Sequence, residues 1–151
     1  MTTTFAQFAS EQTARNTIQL NVIKYCWLLC DALRQNYIDY SIKSHSNSLV
    51  RLEGNTETAV AYHKACIEDL KNGRCDYDFL IESGRKYHKI MMSAAGARSI
   101  HAFVDKKTGE VYKPASIKAP AKGVRFNLLI IEQREWLYAN ADWAGGYLYR
   151  R

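Results

Sequence analysis

The sequence predicts an α+β fold: N-terminal helices packed on an antiparallel β-meander, with a short C-terminal helix and a final strand. Two observations predict it. Apolar residues recur at helical spacing up to Gly73, and beyond it they alternate in short runs between turn residues. With 151 residues, 47% of them hydrophobic, the chain is long enough for one core, so we expect a single domain over 1–151. Its mainly helical part spans 1–73 and its mainly β part spans 74–151.

The first helix is predicted around a stripe of apolar residues at steps of three and four. That stripe, the spacing of one buried helix face, consists of Val22, Cys26, Leu29, Leu33 and Tyr37, widened by Trp27 and Cys30. Phe5 and Phe8 are assigned to an earlier, shorter helical turn. The polar run 44–48 is typical of a loop, which should end this helix.

A second helix is expected after a cap at Asn55 or Thr56. Its apolar stripe should be Ala59, Tyr62, Cys66 and Leu70. Asn72 and Gly73 form a stop signal, because glycine readily adopts the left-handed conformation that ends many helices.

The strands follow Gly73. Residues 87–92 and 99–104 alternate as strands do, and a small-residue turn at 94–96 joins them. Residues 105–109 end in glycine and predict a tight hairpin that leads into a strand at 110–113. We therefore expect a meander of at least three strands.

The remaining elements are short. Pro114 and Pro120 bracket 115–123, which can form neither a central strand nor a regular helix. Residues 130–140 predict a short helix, and 145–149 a final edge strand.

The composition excludes several classes of protein. The first seven residues lack the basic and apolar runs of a secretory signal, and polar residues interrupt the apolar stretch 18–33, so we expect a soluble intracellular protein without a membrane span. In that compartment the four cysteines should be reduced thiols: Cys26, Cys30, Cys66 and Cys75. Their spacing does not fit a four-thiolate zinc site, and we expect neither metal nor cofactor.

Positive charge is concentrated in one segment of the chain. Residues 84–125 hold ten cations and two anions, a formal charge of +8 against +6 for the whole chain, so the remainder is mildly acidic. Within it, the loop 113–125 carries four cations, two prolines and no acid. Lysine offers phosphate a mobile charge, and arginine offers two parallel hydrogen bonds. The segment therefore predicts binding of an anionic, phosphate-bearing ligand, whereas a merely solvated lysine-rich loop is the alternative.

The candidate ligand-binding residues combine these cations with one hydroxyl and two aromatic rings that could stack on a base. They are Lys86, Lys89, Arg98, Lys106, Lys107, Lys113, Ser116, Lys118, Lys122, Arg125, Trp143 and Tyr147. A nucleotide or a nucleic acid would use both kinds of group. A homo-oligomer would let loops from neighbouring subunits close over a small ligand.

Two functions of other classes stay open. His88 and His101 lie on neighbouring predicted strands, and with nearby lysines such a pair could act as acid and base in a phosphoesterase or nuclease. Sheet histidines are commonly structural, however, and we assign no catalytic residue, so a binding protein is favoured over an enzyme. The basic loop could instead contact an acidic surface of a host protein.

Residues 103–129 and 141–149 resemble a group of small proteins of tailed bacteriophages, including marine and cyanobacterial ones. The similarity runs from about residue 84 onward. It implies synthesis in the cytoplasm of an infected bacterium. Together with the basic segment, this favours a phage accessory protein that binds a nucleotide-type anion, for example one that sequesters a nucleotide messenger of bacterial immunity. The resemblance supplies no activity. An aromatic residue often stands in that group where this chain has Ile117, and the difference weakens the idea of base stacking there.

Overall fold

The computed structural model of the protein describes residues 4–51 and 57–149. Its helices are α1 (Phe5–Arg51), α2 (Glu57–Lys71) and α3 (Ile131–Asn140), and a 3-10 helix spans Gly146–Tyr149. Its strands are β1 (Tyr77–Ser83), β2 (Tyr87–Ala94), β3 (Ala97–Asp105), β4 (Glu110–Tyr112) and β5 (Phe126–Asn127). The strands form one antiparallel sheet in sequence order, which confirms the predicted α+β class and meander.

Helix α1 is a single element of 47 residues, about 70 Å long at 1.5 Å per residue. It starts in a capping box, where Thr4 and Gln7 each accept the other's backbone N–H. The predicted loop at 44–48 and the separate turn around Phe5 are therefore wrong. No glycine or proline interrupts the helix, and the Ser48 hydroxyl donates to the Ser44 carbonyl, so this serine is satisfied within it.

The buried face of α1 largely follows the predicted stripe, but it also includes Ile38 and Ser41, which the stripe does not contain. Val22, Cys26, Leu29, Cys30 and Leu33 are buried, whereas Tyr37 is only partly so. Trp27 is 47% exposed and does not widen the face.

Helix α2 stops where the sequence predicts, since Gly73 has a φ of +78° and the N–H of Arg74 returns to the Asp69 carbonyl. Its predicted apolar stripe is right except at Tyr62, since Ala59 and Cys66 are partly buried. Leu70 is buried but Tyr62 is exposed, because α2 packs on α1 at the edge of the molecule. The proposed caps Asn55 and Thr56 lie outside the described residues.

Both predicted hairpins are present. Ala95 and Gly96 form the two-residue turn between β2 and β3, with φ values of +50° and +86°. In the second hairpin the Asp105 carboxylate accepts the N–H groups of Lys107 and Thr108. Gly109 is required there, because its φ is +74° and a Cβ would lie 3.0 Å from the Leu129 side chain.

The two faces of the sheet are covered differently. Helix α1 and the C-terminal segment cover one face, where Phe79, Ile90, Ala102 and Val104 join the apolar core. On the other face Phe103 is fully buried outside that core cluster, and its neighbour in register, Lys89, reaches the backbone of the loop 113–125. The loop therefore lies across the outer face of the sheet.

The C-terminal segment contains the predicted short helix but no final strand. The predicted strand at 145–149 is wrong because the Asp142 carboxylate accepts the N–H groups of Gly146 and Tyr147 and curls the chain into a 3-10 turn. Asn36 of α1 accepts the Trp143 N–H at 2.9 Å and fixes the segment to the helix. In the described part of the chain, no helix has the length and apolar character needed to cross a membrane.

Candidate functional site

The basic loop 113–125 is held in place by its backbone. The N–H of Ala121 donates to the Lys113 carbonyl and that of Arg125 to the Val111 carbonyl, each at 2.8 Å. Lys89 Nζ donates to the Ile117 carbonyl at 2.7 Å, so one of the predicted ligand-binding cations fastens the loop to the sheet. The position of Lys113 at the start of the loop is fixed before any ligand binds.

A cavity of about 310 Å³ opens between this end of the loop, the edge of β3 and the C-terminal segment. Strand β4 pairs with β3 only at Phe103 and Val104, so Ser99 and Ile100 lie where β3 has no neighbour on that side. The cavity is therefore walled partly by a free strand edge. Its volume is at the small end of the range of about 300–1,000 Å³ typical of small-molecule sites.

Lys113 brings a positive charge to this cavity. Its Nζ lies 4.1 Å from the centre of the Tyr149 ring, and both side chains line the cavity. Lys113 takes part in none of the ion pairs or side-chain hydrogen bonds among the described residues. The ring orients the ammonium group by a cation–π interaction, and its N–H donors are left for a ligand.

Trp143 forms an aromatic wall of the same cavity. Its ring is braced by three tyrosines, with centroid distances of 5.4 Å to Tyr37, 5.3 Å to Tyr40 and 5.7 Å to Tyr77. Tyr37 and Tyr77 themselves stack at 4.0 Å. A ring supported in this way offers a rigid apolar surface.

His101 lines the inner part of the cavity and is 7% exposed. In the pairing of β2 with β3, Ile90 lies opposite Ala102 and Met91 opposite Ile100, so His101 is the extra residue of a β-bulge. Its Nε2 and the Tyr147 hydroxyl share a hydrogen bond of 2.8 Å. Burial lowers the pKa of His101 to about 4, although nearby Asp142 acts in the opposite direction, so the ring is neutral at physiological pH.

The other predicted residues do not gather around this cavity. Lys106 donates to the Gly84 carbonyl, Arg98 pairs with Glu82 at 2.6 Å, and Lys86 lies over the Tyr87 ring. Lys107 lies near the N-terminal half of α1, beside Arg15. Lys106 and Arg98 therefore link neighbouring turns and strands of the sheet.

Within the loop, the remaining predicted residues do not line the cavity. Lys118 and Lys122 are exposed, and the Ser116 hydroxyl accepts the Lys118 N–H. Arg125 keeps a buried Nε without a hydrogen-bond partner in the described part of the chain, an arrangement that favours an anionic acceptor. None of these three cations belongs to an ion pair of the described residues.

Tyr147 does not fit its predicted role as a ring that stacks on a ligand. It is 3% exposed and packs beside Phe126, and burial raises the pKa of its hydroxyl. A ring enclosed on both faces has no surface for a base. Tyr147 instead positions His101.

His88 and His101 do not share a site. His88 lies opposite Val104 and lines a groove with Ser83, Lys106 and α1, at the end of β2 remote from the His101 cavity. Val104, which lies opposite His88, is three residues from His101 along β3, a distance of about 10 Å. The phosphoesterase that would use both histidines lacks the geometry it needs.

A further polar cavity of about 280 Å³ lies between α1 and α2. It contains none of the predicted residues, and its cation Arg74 is already paired with Asp69 at 2.9 Å. Elsewhere too, the described residues include no group of three or more histidine, cysteine or acidic side chains able to hold a metal ion. The cavity around Lys113 is therefore the candidate site.

Comparison with known proteins places the chain in a family. Residues 5–150 match the model of a family of unknown function, DUF7717. The chain belongs to this family. The match spans the helical and the β part, so DUF7717 includes every element that builds the cavity. No curated protein and no solved structure matches this DUF7717 chain.

The residues around the DUF7717 cavity were only partly predictable. Lys113 and Trp143 were predicted from charge and aromatic character. The sequence places His101 only in a candidate catalytic pair with His88. Its position in the cavity was not predictable, because a bulge is not visible in a strand pattern. Tyr37 and Tyr77 carried no signal of a site, since their contact with Trp143 joins residues far apart in the chain.

Proposed function

We propose that this protein binds a nucleotide in the cavity between the basic loop and the C-terminal segment. The phosphate would lie on Lys113 and the base against Trp143. One observation carries the proposal: a lysine whose N–H donors have no described partner faces the same small cavity as a tryptophan braced by three tyrosines. A nucleotide needs this combination of a fixed cation and a flat apolar surface.

A small nucleotide fits these observations better than a nucleic acid. Polymer binding uses a continuous basic track that follows the phosphate backbone. Here Lys89, Lys106 and Arg98 are engaged with protein groups, and the free cations of the loop are separated from those near α1. A cavity with one fixed cation suits a small ligand that it can enclose better than a polymer that runs along the protein surface.

The biological setting that we propose comes from the sequence resemblance. The similarity of residues 103–129 and 141–149 to phage proteins supports an accessory protein that acts in the cytoplasm of an infected bacterium. Binding without turnover would then sequester a nucleotide messenger of bacterial immunity. Self-association and binding to a host protein stay predictions of the sequence.

The experiment that tests this function compares two lysines of the same loop. We expect Lys113→Met to weaken nucleotide binding about 10- to 100-fold, which is the loss of one charge-assisted hydrogen bond of about 1.5–3 kcal/mol. Lys118→Met removes an equal charge from an exposed position and should change the affinity less than threefold. Isothermal titration calorimetry with the four nucleoside 5′-monophosphates (AMP, GMP, CMP and UMP) measures both effects.

Equal losses in the two variants would contradict the proposal, because they would show that only the overall charge of the loop matters. Salt gives a second control. Binding in the cavity should weaken modestly between 50 and 200 mM salt, whereas a steep loss of single-stranded RNA binding over this range would indicate a polymer-binding surface.

A further inference from the structure

We propose that the ligand is a nucleotide with a single phosphate group, either a monophosphate or a phosphodiester, and that His101 determines which base is bound. This inference rests on the proposed function and specifies the ligand class of the same site. Nδ1 of His101 would contact the uncharged edge of the base in the inner part of the cavity, while the phosphate lies on Lys113.

The charge of the cavity supports one phosphate. Among the described residues that line it, Lys113 is the one cation, and none of them is acidic. Relative to a monophosphate, a diphosphate would bring about one further negative charge and a triphosphate about two, without matching cations. Such charges are stabilised in proteins by additional lysine, arginine or metal ions.

The geometry of His101 leaves one polar atom for the ligand. Nε2 is used by the Tyr147 hydroxyl, and Nδ1 has no hydrogen-bond partner among the described residues, although the residue is 7% exposed. Gly145 lies beside this edge of the ring, where a Cβ would stand 3.6 Å from Cε1 and 3.9 Å from Nδ1. Glycine keeps that edge of the imidazole uncovered.

The chemistry of Nδ1 then defines what it recognises. A neutral imidazole offers one hydrogen bond at Nδ1, as donor or acceptor according to the tautomer that the Tyr147 hydroxyl selects. A neutral group adds little to the affinity for phosphate. It does distinguish bases whose edges present a hydrogen-bond donor from those that present an acceptor. A buried polar group left unpaired by the wrong base costs affinity, and this cost is the source of specificity.

Two amide substitutions separate the two ring nitrogens. The amide of His101→Gln can reach the place of Nε2 and keep the bond to Tyr147, but it removes the group at Nδ1. The shorter His101→Asn does the reverse. Each protein would be titrated with AMP, GMP, CMP and UMP by calorimetry, and its thermal unfolding would be recorded.

We expect the wild type to prefer one or two bases by about tenfold, a preference that falls below threefold in His101→Gln and persists in His101→Asn. Retention of the preference in His101→Gln would overturn the role of Nδ1, as would its loss in both variants with unchanged folding. Because the readout is the ratio between bases, a general loss of stability does not mimic it.

The phosphate count is tested with AMP, ADP and ATP in the absence of divalent cations. We expect ADP and ATP to bind no more tightly than AMP, within threefold. ATP binding ten times more tightly than AMP would overturn the single-phosphate assignment.

The outcome also separates this inference from the proposed function. Suppose that Lys113→Met abolishes binding of all four monophosphates while His101→Gln leaves their order of affinity unchanged. The proposed nucleotide site is then supported and the role of His101 in base selection is disproved. If the wild type binds neither these nucleotides nor the phosphodiesters cyclic AMP and cyclic GMP, both proposals fail.

Discussion

Burial determines the protonation of His101, and this has a consequence for stability. Its pKa of about 4 in the folded protein lies below the ordinary value of 6.5, so the unfolded chain binds the proton more readily. Stability should therefore fall as the pH drops from about 6.5 to about 4, by up to about 3 kcal/mol from this group alone.

The prediction is checked by urea unfolding of the wild type and of His101→Gln between pH 7 and pH 4. Other groups titrate in both proteins, so the difference between their free energies of unfolding isolates His101. The wild type should lose up to about 3 kcal/mol more than the variant. Parallel pH profiles would contradict the account of His101 as a neutral buried ring.

The cysteines give a second prediction at the residue scale. Burial raises the pKa of Cys26 to about 12 and raises that of Cys30 as well, whereas Cys66 and Cys75 are partly exposed. Because the thiolate is the reactive form, iodoacetamide at pH 8 should modify Cys66 and Cys75 in the folded protein and all four cysteines in urea. Peptide mass spectrometry identifies the sites, and rapid labelling of Cys26 in the folded state would disprove its place in the core.

At the scale of elements, the turn between β2 and β3 is less favourable than it could be. Ala95 has a φ of +50°, a conformation that glycine adopts without steric cost. We expect Ala95→Gly to raise the free energy of unfolding by about 0.5–1 kcal/mol, as measured by urea denaturation.

The matched control is Ala97→Gly, which lies two residues away at the start of β3. There the backbone is extended, and glycine should lower the stability by about 0.5–1 kcal/mol. Destabilisation by both changes would contradict the assigned turn.

The elements also show where sequence patterns are reliable. The stop at Gly73 and the hairpin at Gly109 were predicted because each depends on local backbone geometry. The loop predicted at 44–48 was wrong because serine and asparagine are polar but do not break a helix, and no glycine or proline lies within α1. The final strand was wrong because the Asp142 carboxylate accepts the N–H groups of Gly146 and Tyr147, and a strand pattern does not show such contacts.

At the scale of the molecule, the structure divides the basic segment by function. Part of its charge fastens the loop and strands, as with Lys89 and Arg98, and part is exposed on the loop, as with Lys118 and Lys122. Only Lys113 lines the cavity with Trp143 among the predicted residues. The sequence could predict the charge but not this division, because it depends on strand register and on contacts between distant residues.

The most direct test of the central claim maps the binding site. Amide and indole N–H resonances would be followed by two-dimensional NMR as AMP is added to the folded protein. We expect the largest shifts around the cavity, at His101, Lys113, Gly145 and the Trp143 indole. Shifts confined to Lys118, Lys122 and the exposed loop, or the absence of any saturable change, would contradict it.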